Sequence, residues 1–367
     1  MEKMFIPCGG ALLQKKIDDA LADGSRQAVI TGNYEIEQTV LIPSDFTLIL
    51  ENCHLRMADD TFCNMFRNQK AGTEEGKTIE GADRNIVIEG RGKAILDGGN
   101  YNGLSESNSC KDGRPHISVN NLILFHNVEH FRVSGLFLCN QRWWAMNFLF
   151  CRFGHIHDIE FKADDRRRDK DGNIIHGHIC DESTWYDVIV RNADGLDLRC
   201  GCRNILVENI SGFTQDDTVA LTGLPGKMET DLYTVRGMST DICNITVRNV
   251  HASASCAALV RLLNQGGIKL YNILVDGVMD TSADCPHLDR TPYGIRVGDR
   301  GNYARHSVPG ETYNIVIRNV FTRTKCAMVL GGSIQNMTVE NLLGFDGGGT
   351  FIENNNAKLI DCKGIPG

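Results

Sequence analysis

The chain is poor in proline and aromatic residues, and it contains no long basic or apolar run. Of its 367 residues, 8 are proline and 7% are aromatic, which excludes a collagen-like or proline-rich chain. Lys and Arg number 38 against 46 Asp and Glu, so the net charge is −8 and a nucleic-acid partner is disfavoured. No stretch approaches the roughly 18 apolar residues of a spanning helix, so we expect no membrane partner.

The start of the chain lacks the apolar segment of a secretory signal, and a soluble protein is expected. Fourteen cysteines are present, and several, such as Cys139, Cys151 and Cys326, stand inside apolar strand-like runs. Cysteine in such a run acts as a small hydrophobic residue. Mostly reduced cysteines favour a cytoplasmic location.

One short phrase of sequence recurs through the second half of the chain. Each copy begins with Asn, continues as an alternating strand and closes with Asn or Gly before an apolar residue; the copies are 204–210, 244–250, 272–278, 314–320 and 336–342. Their starts lie 40, 28, 42 and 22 residues apart. This spacing is consistent with one or two coils of roughly 20–28 residues with loops of variable length, and Asn and Gly suit the turns.

The segments between copies show no helix of about 12 residues, so a doubly wound sheet or an α/β barrel would lack its crossovers. Hairpin-turn signals are also missing, which disfavours a sandwich or a propeller. The pattern predicts an all-β protein, a single-stranded parallel β-helix of about ten to twelve coils. We expect one domain over residues 1–367, with a helix at 11–23 that caps the open end of the solenoid.

Acidic residues on successive coils of a β-helix lie only about 5 Å apart. Asp194 is followed, 22 residues later, by Asp216 and then Asp217, which predicts one cluster if the backbone bends at the pair. Close carboxylates do not all ionise, so one serves as proton donor and another as base, as glycoside hydrolysis requires. The alternative is that they end strands, cap turns or bind a structural cation.

The motif Asn192-x-Asp194-Gly-x-Asp197, followed about one coil later by an Asp-Asp pair, resembles the polygalacturonase family, glycoside hydrolase family 28. This resemblance implies the right-handed parallel β-helix of the pectin-lyase fold and an inverting hydrolase. It implies that Asp216 is the general acid and that Asp194 and Asp217 deprotonate the water. Asn192 is expected to contact the substrate.

Two other signatures of the family are altered. The family has Gly-His-Gly about one coil after the acidic pair, whereas residues 236–239 occupy that region here and contain no His. An Arg-Ile-Lys strand is expected next, and only its Arg is retained, as Arg261. Tyr293 matches a downstream Tyr of the family, and Arg261, Tyr293 and Arg296 are expected to hold the sugar. Arg alone can bind a carboxylate through two hydrogen bonds, so the loss of the Lys does not exclude a uronic acid substrate.

Two long segments, 163–186 and 280–311, are expected to form loops beside the cleft. The first carries His178 and Trp185, which would replace the missing His or stack on a sugar, unless this loop is simply solvated. Its acidic and His residues lack the pattern of a calcium loop or a third zinc ligand, so we predict no metal. The second segment is rich in Arg and His, which indicates an anionic substrate or pairing with the catalytic acids, unless it is scattered surface charge. Two such loops would turn an open groove into a pocket suited to exo-action.

The sequence therefore predicts a glycoside hydrolase that acts on oligosaccharides, exo-acting and inverting, possessing no cofactor, with pectin-derived uronic acids as candidate substrates. One alternative is a lyase or fructotransferase on the same scaffold. Another is a glycan-binding β-helix without activity, in which the aspartates form a recognition site. Because β-helices often associate through their flanks, a homo-oligomer is also expected, although the sequence identifies no interface.

Overall fold

The computed structural model describes residues 4–99, 117–163, 166–168, 174–176, 193–285, 288–298, 303–348 and 352–365. Strands of successive coils pair in parallel throughout one 19-stranded sheet that winds along the chain. The predicted right-handed parallel β-helix with an N-terminal helix is confirmed. No helix in the described ranges is long and apolar enough to cross a membrane.

The strands fall into two sets. Short strands build one flat face: β2 (Val40–Ile42), β4 (Phe66–Asn68), β6 (Ile123–His126), β8 (Met146–Leu149), β12 (Leu196–Arg199), β14 (Val219–Gly223), β16 (Ala258–Asn264) and β18 (Tyr293–Val297). Long strands build the remaining faces: β1 (Gln27–Ile36), β3 (Phe46–Met57), β5 (Asp83–Asp97), β7 (Val128–Cys139), β9 (Arg152–Lys162), β13 (Arg203–Thr214), β15 (Ile242–Ala254), β17 (Leu270–Asp280) and β19 (Thr312–Thr322). β20 (Cys326–Gly344) and β21 (Ile352–Ile360) complete the stack, and β10 (Arg166–Arg168) pairs antiparallel with β11 (Ile174–His176).

The repeated phrase corresponds to one coil each time, whatever the length of the loops between copies. Ile205, Ile245, Ile273 and Ile315 are register partners on successive strands and are buried inside the helix. Alternating apolar residues therefore form stacks along the axis of the core, because side chains of a strand point alternately inward and outward.

An asparagine ladder holds the corner at the start of these coils. Its members, Asn204, Asn244, Asn272, Asn314 and Asn336, all have left-handed φ angles of 50–57°. From Asn244 onwards, the side-chain Nδ2 of each member donates to the side-chain Oδ1 of the preceding member, over 2.8–3.0 Å. Asparagine fits here because it tolerates the left-handed conformation and supplies both a donor and an acceptor.

We expect Asn272→Ala to lower the free energy of unfolding by about 2 kcal/mol, since Ala is strained at this φ and two exposed hydrogen bonds are lost. Asn272→Gly is the matched control, because it removes the same bonds without the strain and should recover about 1 kcal/mol. Urea unfolding of the two variants measures the difference. Equal losses in both would contradict a left-handed requirement at this position.

The N-terminal helix, α1, spans Gly9–Ala22, which is close to the predicted 11–23. Its apolar side, Leu13, Ile17 and Ala20, is buried over the first coil. The carboxylate of Glu37 accepts hydrogen bonds from the backbone N–H groups of residues 10 and 11, each 3.0 Å long. A side chain from the first coil thus caps the helix that covers it, because the first N–H groups of a helix have no partner within the helix.

The cysteines follow the expectation of a mostly reduced set. Eight described cysteines are free thiols, among them Cys151, Cys200 and Cys202, which are buried. Cys139 and Cys326 are buried as well. Burial raises the pKa of the Cys151 thiol to about 12, as expected for a structural thiol. Cys256 is the exception, because it is disulfide-bonded.

The predicted loop at 280–311 is wrong in part. Residues Tyr293–Val297 form β18, a strand of the flat face, because Ile295 and Val297 alternate inward and are buried. The predicted loop at 163–186 contains the β10–β11 pair, and its other residues after 163 lie outside the described ranges.

Candidate active site

The candidate site lies on the outer side of the flat face, at strands β12, β14, β16 and β18. Asp197, Ala220, Arg261 and Arg296 are register partners on these four neighbouring strands. In all four strands, the residues directly before and after these positions are apolar and face the core. The polar members of this row therefore point away from the core.

The three predicted carboxylates meet at the start of β12 and β14. One oxygen from each of Asp194, Asp216 and Asp217 lies within 4.8 Å of the others. The backbone N–H of residue 195 donates to the carbonyl of Asp217 over 2.9 Å, which sets the two coils side by side. Carboxylates at this spacing are also where a divalent cation would bind, if the protein used one.

The acidic pair is held by hydrogen bonds of its own turn. The Asp217 N–H donates to Asp216 Oδ1 over 2.9 Å, and the Thr214 hydroxyl donates to the Asp216 carbonyl over 2.8 Å. Asp217 is fully buried and accepts from the Ala258 N–H at 2.9 Å and from Arg261 Nη1 at 3.0 Å. A fixed turn thus presents two consecutive carboxylates to the same cleft, as the local bend predicted from the sequence requires.

Burial and mutual repulsion make proton release from this cluster difficult. Burial, followed by the charge of Asp217, raises the pKa of Asp216 to about 7, although Arg261 and Arg296 oppose the shift. Burial and the neighbouring carboxylates raise the pKa of Asp194 well above its ordinary range. Asp216 is therefore suited to carry a proton near neutral pH and to release it in a reaction.

Asp197, the last residue of the Asn-x-Asp-Gly-x-Asp motif, belongs to this site although sequence reasoning gave it no role. It is 1% exposed, and burial raises its pKa to about 8 in spite of Arg199 nearby. Its Oδ1 lies 3.5 Å from Arg199 Nη1, and its Oδ2 has no hydrogen-bond partner in the described part of the chain. The motif itself was the signal that could have identified it.

The predicted sugar-binding residues of β16 and β18 lie on the C-terminal side of the acids. Arg261 contacts Asp217, and Arg296 is its register partner on the next coil. The Arg296 guanidinium lies 5.2 Å from the ring centre of Tyr293, and that of Arg261 lies 5.8 Å from the ring centre of Tyr303. Tyr303 was missed, because nothing in the sequence indicates that its loop reaches the site.

The position assigned to the family's Gly-His-Gly was wrong. β16 is the strand one coil after β14, so residues 257 and 258, both Ala, stand beside the acidic pair. Arg236 instead forms an ion pair with Glu74 at 3.1 Å, away from the acids. The loop between the two coils is long, so a position one ordinary coil length after the acidic pair falls inside this loop and not on the next strand. The strand after β16 is β18, which carries Arg296, the register partner of Arg261.

Three predicted site residues, Asn192, His178 and Trp185, lie outside the described residues. Their predicted contacts with substrate stay predictions. Trp143 and Trp144 are both buried, at 0% and 4% exposure, so neither offers an open ring face to a sugar.

A stretch between β14 and β15, residues 224–238 and hereafter the cover segment, lies over the flat face on the N-terminal side of the acids. It packs Met228, Tyr233 and Val235 against a second apolar cluster that includes Trp143 and Trp144. This cluster covers the outer side of β6 and β8 and reaches Cys200, directly after β12. The flat face is therefore closed on one side of the carboxylates.

Polar contacts also fix the cover segment. Glu229 and Arg199, both nearly fully buried, form an ion pair with Nε and Oε1 2.6 Å apart, and the Arg199 guanidinium lies 4.5 Å from the Trp144 ring centre. His126 Nε2 donates to the Tyr233 carbonyl over 2.7 Å, while His126 Nδ1 accepts from the N–H of residue 72 over 3.2 Å. Neutral His126 satisfies both contacts at once.

Burial lowers the pKa of His126 to about 4, below its ordinary value of 6.5. The stabilisation that neutral His126 provides is complete above pH 6.5 and is lost as the pH falls towards 4, by about 3 kcal/mol in total. We expect the difference in unfolding free energy between wild type and His126→Gln to shrink by this amount from pH 7 to pH 4. The carboxyls whose pKa is raised stabilise the folded state at low pH. They do so equally in wild type and in the variant, so their contribution cancels in the difference. A difference that does not change with pH would contradict the assignment.

Comparison with known proteins agrees with this architecture. The sequence model of the Glycosyl hydrolases family 28 matches residues 33–230. The fold is similar to an exopolygalacturonase of Thermotoga maritima, with a TM-score of 0.59 and 13% identity over 96% of this chain and 88% of that chain. It is also similar to a polygalacturonase of Erwinia carotovora ssp. carotovora (TM-score 0.51, 14% identity, 92% and 85% covered).

A mutant tailspike protein of the E. coli bacteriophage HK620 has a similar fold as well (TM-score 0.53, 10% identity, 94% of this chain and 59% of that chain). At these identities the structures show the fold alone. A search of curated protein sequences finds no match. Because the family model spans more than half of its length, the chain belongs to glycosyl hydrolase family 28.

Proposed function

We propose that the protein is an exo-acting, inverting glycoside hydrolase for oligosaccharides that carry uronic acid residues. The observation that carries this proposal is the cluster of Asp194, Asp216 and Asp217, with one oxygen of each within 4.8 Å, in a member of a glycoside hydrolase family. Two arginines next to the cluster add the means to bind a carboxylate. No cofactor takes part in the proposed reaction.

In the proposed reaction, Asp216 donates its proton to the glycosidic oxygen as the bond from that oxygen to the anomeric carbon breaks. A water molecule attacks the anomeric carbon from the opposite side, and Asp194 or Asp217 takes the proton that this water loses. The raised pKa of Asp194 makes it a stronger base once it is ionised. Buried carboxylates nearby stabilise the positive charge that develops on the sugar ring.

The absence of the family's His beside the pair is compatible with this mechanism. Ala257 stands where that His is expected, so no imidazole from this strand supports the acid. Burial and the neighbouring Asp217 already raise the pKa of Asp216 to about 7, and a general acid works best with a pKa near the operating pH. The buried, acidic environment of Asp216 thus keeps this carboxyl protonated near neutral pH without help from a neighbouring His.

Uronic acid recognition is supported by Arg261 and Arg296. These residues are register partners on adjacent coils, so their guanidinium groups lie on the same side of the acids. Arg261 also contacts Asp217, so a substrate carboxylate bound by this pair of arginines would lie beside the acidic cluster. A planar guanidinium donates two parallel hydrogen bonds to a carboxylate, and Tyr293 beside Arg296 offers a ring to the sugar.

Exo-action is supported by the cover segment. The apolar cluster beneath it and the buried Glu229–Arg199 pair occupy the flat face on the N-terminal side of the acids. A polysaccharide that crossed the whole face would need this space. A chain end that stops at the cover segment needs none of it, so release of terminal residues fits the closed side.

The test is product analysis on saturated oligogalacturonides and matched neutral oligosaccharides, with Asp216→Asn protein as the blank. We expect monosaccharide as the first product from the acidic series, formed with inverted anomeric configuration as seen by NMR. The anomer matters because the nearest oxygens lie within 4.8 Å, closer than the roughly 6.5–9.5 Å between carboxyls in typical inverting enzymes.

If the product kept the anomeric configuration of the substrate, the mechanism would be retaining, with a covalent intermediate on an aspartate, and not inverting. Mixed oligomers at early times would overturn exo-action, and an unsaturated product absorbing in the ultraviolet would overturn hydrolysis in favour of a lyase. Binding without any product would favour a glycan-binding role.

A further inference from the structure

A second concave site lies at the C-terminal end of the solenoid, well away from the acidic cluster. It is a groove of about 500 Å³ between the segment before β19 and the strands β20 and β21, and its lining includes His306, Ser307, Val308, Ser333, Asn355 and Lys358, hereafter the C-terminal groove. Asn355 lies on β21, four strand spacings beyond β14 on the flat face. At about 4.8 Å per spacing, the groove is roughly 19 Å along the axis from the acidic pair.

The walls of the groove are held in place by contacts that do not depend on a ligand. Glu311 binds Arg305 through both carboxylate oxygens, at 2.9 and 2.6 Å, and accepts from the N–H of Val308 at 2.9 Å. Ser307 and Ser333 are joined twice, since Ser307 Oγ donates to the Ser333 carbonyl at 3.1 Å and accepts from the Ser333 N–H at 3.0 Å. The groove is therefore preorganised.

Two buried polar groups in this lining have no hydrogen-bond partner among the residues that the structure describes. Ser333 is 4% exposed, and its Oγ makes no hydrogen bond. Asn355 Nδ2 is also buried and unpaired. Buried hydroxyl and amide groups are nearly always paired in folded proteins, because an unpaired one has lost its water without compensation. Two such groups in one groove are available to hydrogen-bond a molecule that enters it.

The charges around the groove favour an anion. Lys358 is the register partner of Ser333, and both Lys358 and His306 line the groove. The nearby carboxylate of Glu311 is engaged by Arg305. Val308, 46% exposed, and the adjacent proline add an apolar wall.

We propose that the C-terminal groove is a second binding site, which takes a sugar residue bearing a carboxylate. Lys358 binds the carboxylate, Ser333 and Asn355 donate to the carboxylate or to ring hydroxyls, and the C–H face of the ring packs on Val308. An inorganic anion is far smaller than the groove and would leave the apolar wall uncovered. Sugar binding here requires no hydrolysis, so this inference stands independently of the proposed reaction.

The experiment measures binding of D-galacturonic acid, D-galactose and inorganic phosphate by calorimetry, using full-length protein with Arg261→Met and Arg296→Met to weaken the first site. We expect galacturonic acid to bind at one site, and Lys358→Gln to weaken that binding about tenfold because a charge-assisted hydrogen bond is lost. Ser333→Ala should weaken it about threefold to tenfold by removing a neutral donor. Lys93→Gln, an exposed change at the far end of the rod, is the control and should have no effect.

Several outcomes would overturn the inference. If galactose bound as tightly as galacturonic acid, the groove would not recognise the carboxylate of the sugar. Phosphate competing at equal affinity would reduce the groove to a general anion site. Unchanged affinity in both Lys358→Gln and Ser333→Ala would place the bound sugar elsewhere. Thermal melting of each variant confirms that the fold is intact, and because no turnover is measured, failure of the proposed hydrolase would not alter these results.

Discussion

Asp216→Asn is expected to lower kcat by about 10²- to 10⁴-fold, the usual contribution of a positioned general acid. The amide keeps the shape of the side chain and its hydrogen bond from the Asp217 N–H, so substrate affinity should change little. Wild-type activity should fall as the pH rises through about 7, because the acid must hold its proton and burial raises the pKa of Asp216 to about 7. Initial rates on an oligogalacturonide across pH 4 to 9 measure both effects.

Asp231→Asn is the matched control, an exposed carboxylate on the cover segment that should leave kcat and the pH profile unchanged. If Asp216→Asn retained wild-type kcat, or if the alkaline limb of the profile stayed in place for a variant with residual activity, another group would be the acid. Asp194 and Asp197 are then the next candidates, since burial raises the pKa of both.

Glu229→Leu is expected to lower the free energy of unfolding by about 3 kcal/mol, because it leaves the guanidinium of Arg199 buried without its main partner. Glu229 and Arg199 are 2% and 4% exposed, and their closest atoms lie 2.6 Å apart. The loss should fall at the lower end of the range for broken buried pairs, because Asp197 lies 3.5 Å from Arg199 and can ionise in compensation. Urea unfolding at pH 7 measures the change.

The cover segment provides its own control for this prediction. Arg236 and Glu74 form an exposed pair in the same region, and Glu74→Leu should cost less than about 1 kcal/mol. Replacing both buried partners, with Arg199→Met and Glu229→Met, should recover much of the stability, because no unpaired charge is then left in the interior. A double variant less stable than Glu229→Leu would show that the pair stabilises the fold outright.

The coil architecture was readable from the sequence because its causes are local. A residue at a left-handed corner, such as Asn244 or Asn272, must be one that tolerates that conformation, and the alternating strand after it must place its apolar residues inward. The capping helix was readable for the same reason, from the helical spacing of Leu13 and Ile17. The acidic cluster followed from a short coil, since Asp194 and Asp216 are only 22 residues apart.

In longer coils, the spacing of residues did not identify the next strand. The strand beside the acidic pair begins 41 residues after it, as the Asp217–Ala258 contact shows, so residues 236–239 were placed in the wrong location. The period of a β-helix is set by stacking of strands, while loops at the corners vary freely in length because they leave the stack unchanged. A count of residues therefore identifies the next strand only where the loop is short.

What the sequence by itself determined is the stack: its strands, its corners, its cap and the meeting of three aspartates, all consequences of residues near one another in the chain. Only the tertiary structure decided how the flat face is covered. The contacts that fix the cover segment join residues 30 and 107 positions apart, Arg199 with Glu229 and His126 with Tyr233, and follow no repeat. The same holds for the C-terminal groove, where Ser307 meets Ser333. Such contacts depend on where a loop folds back onto a finished surface, and no local pattern of residues records that.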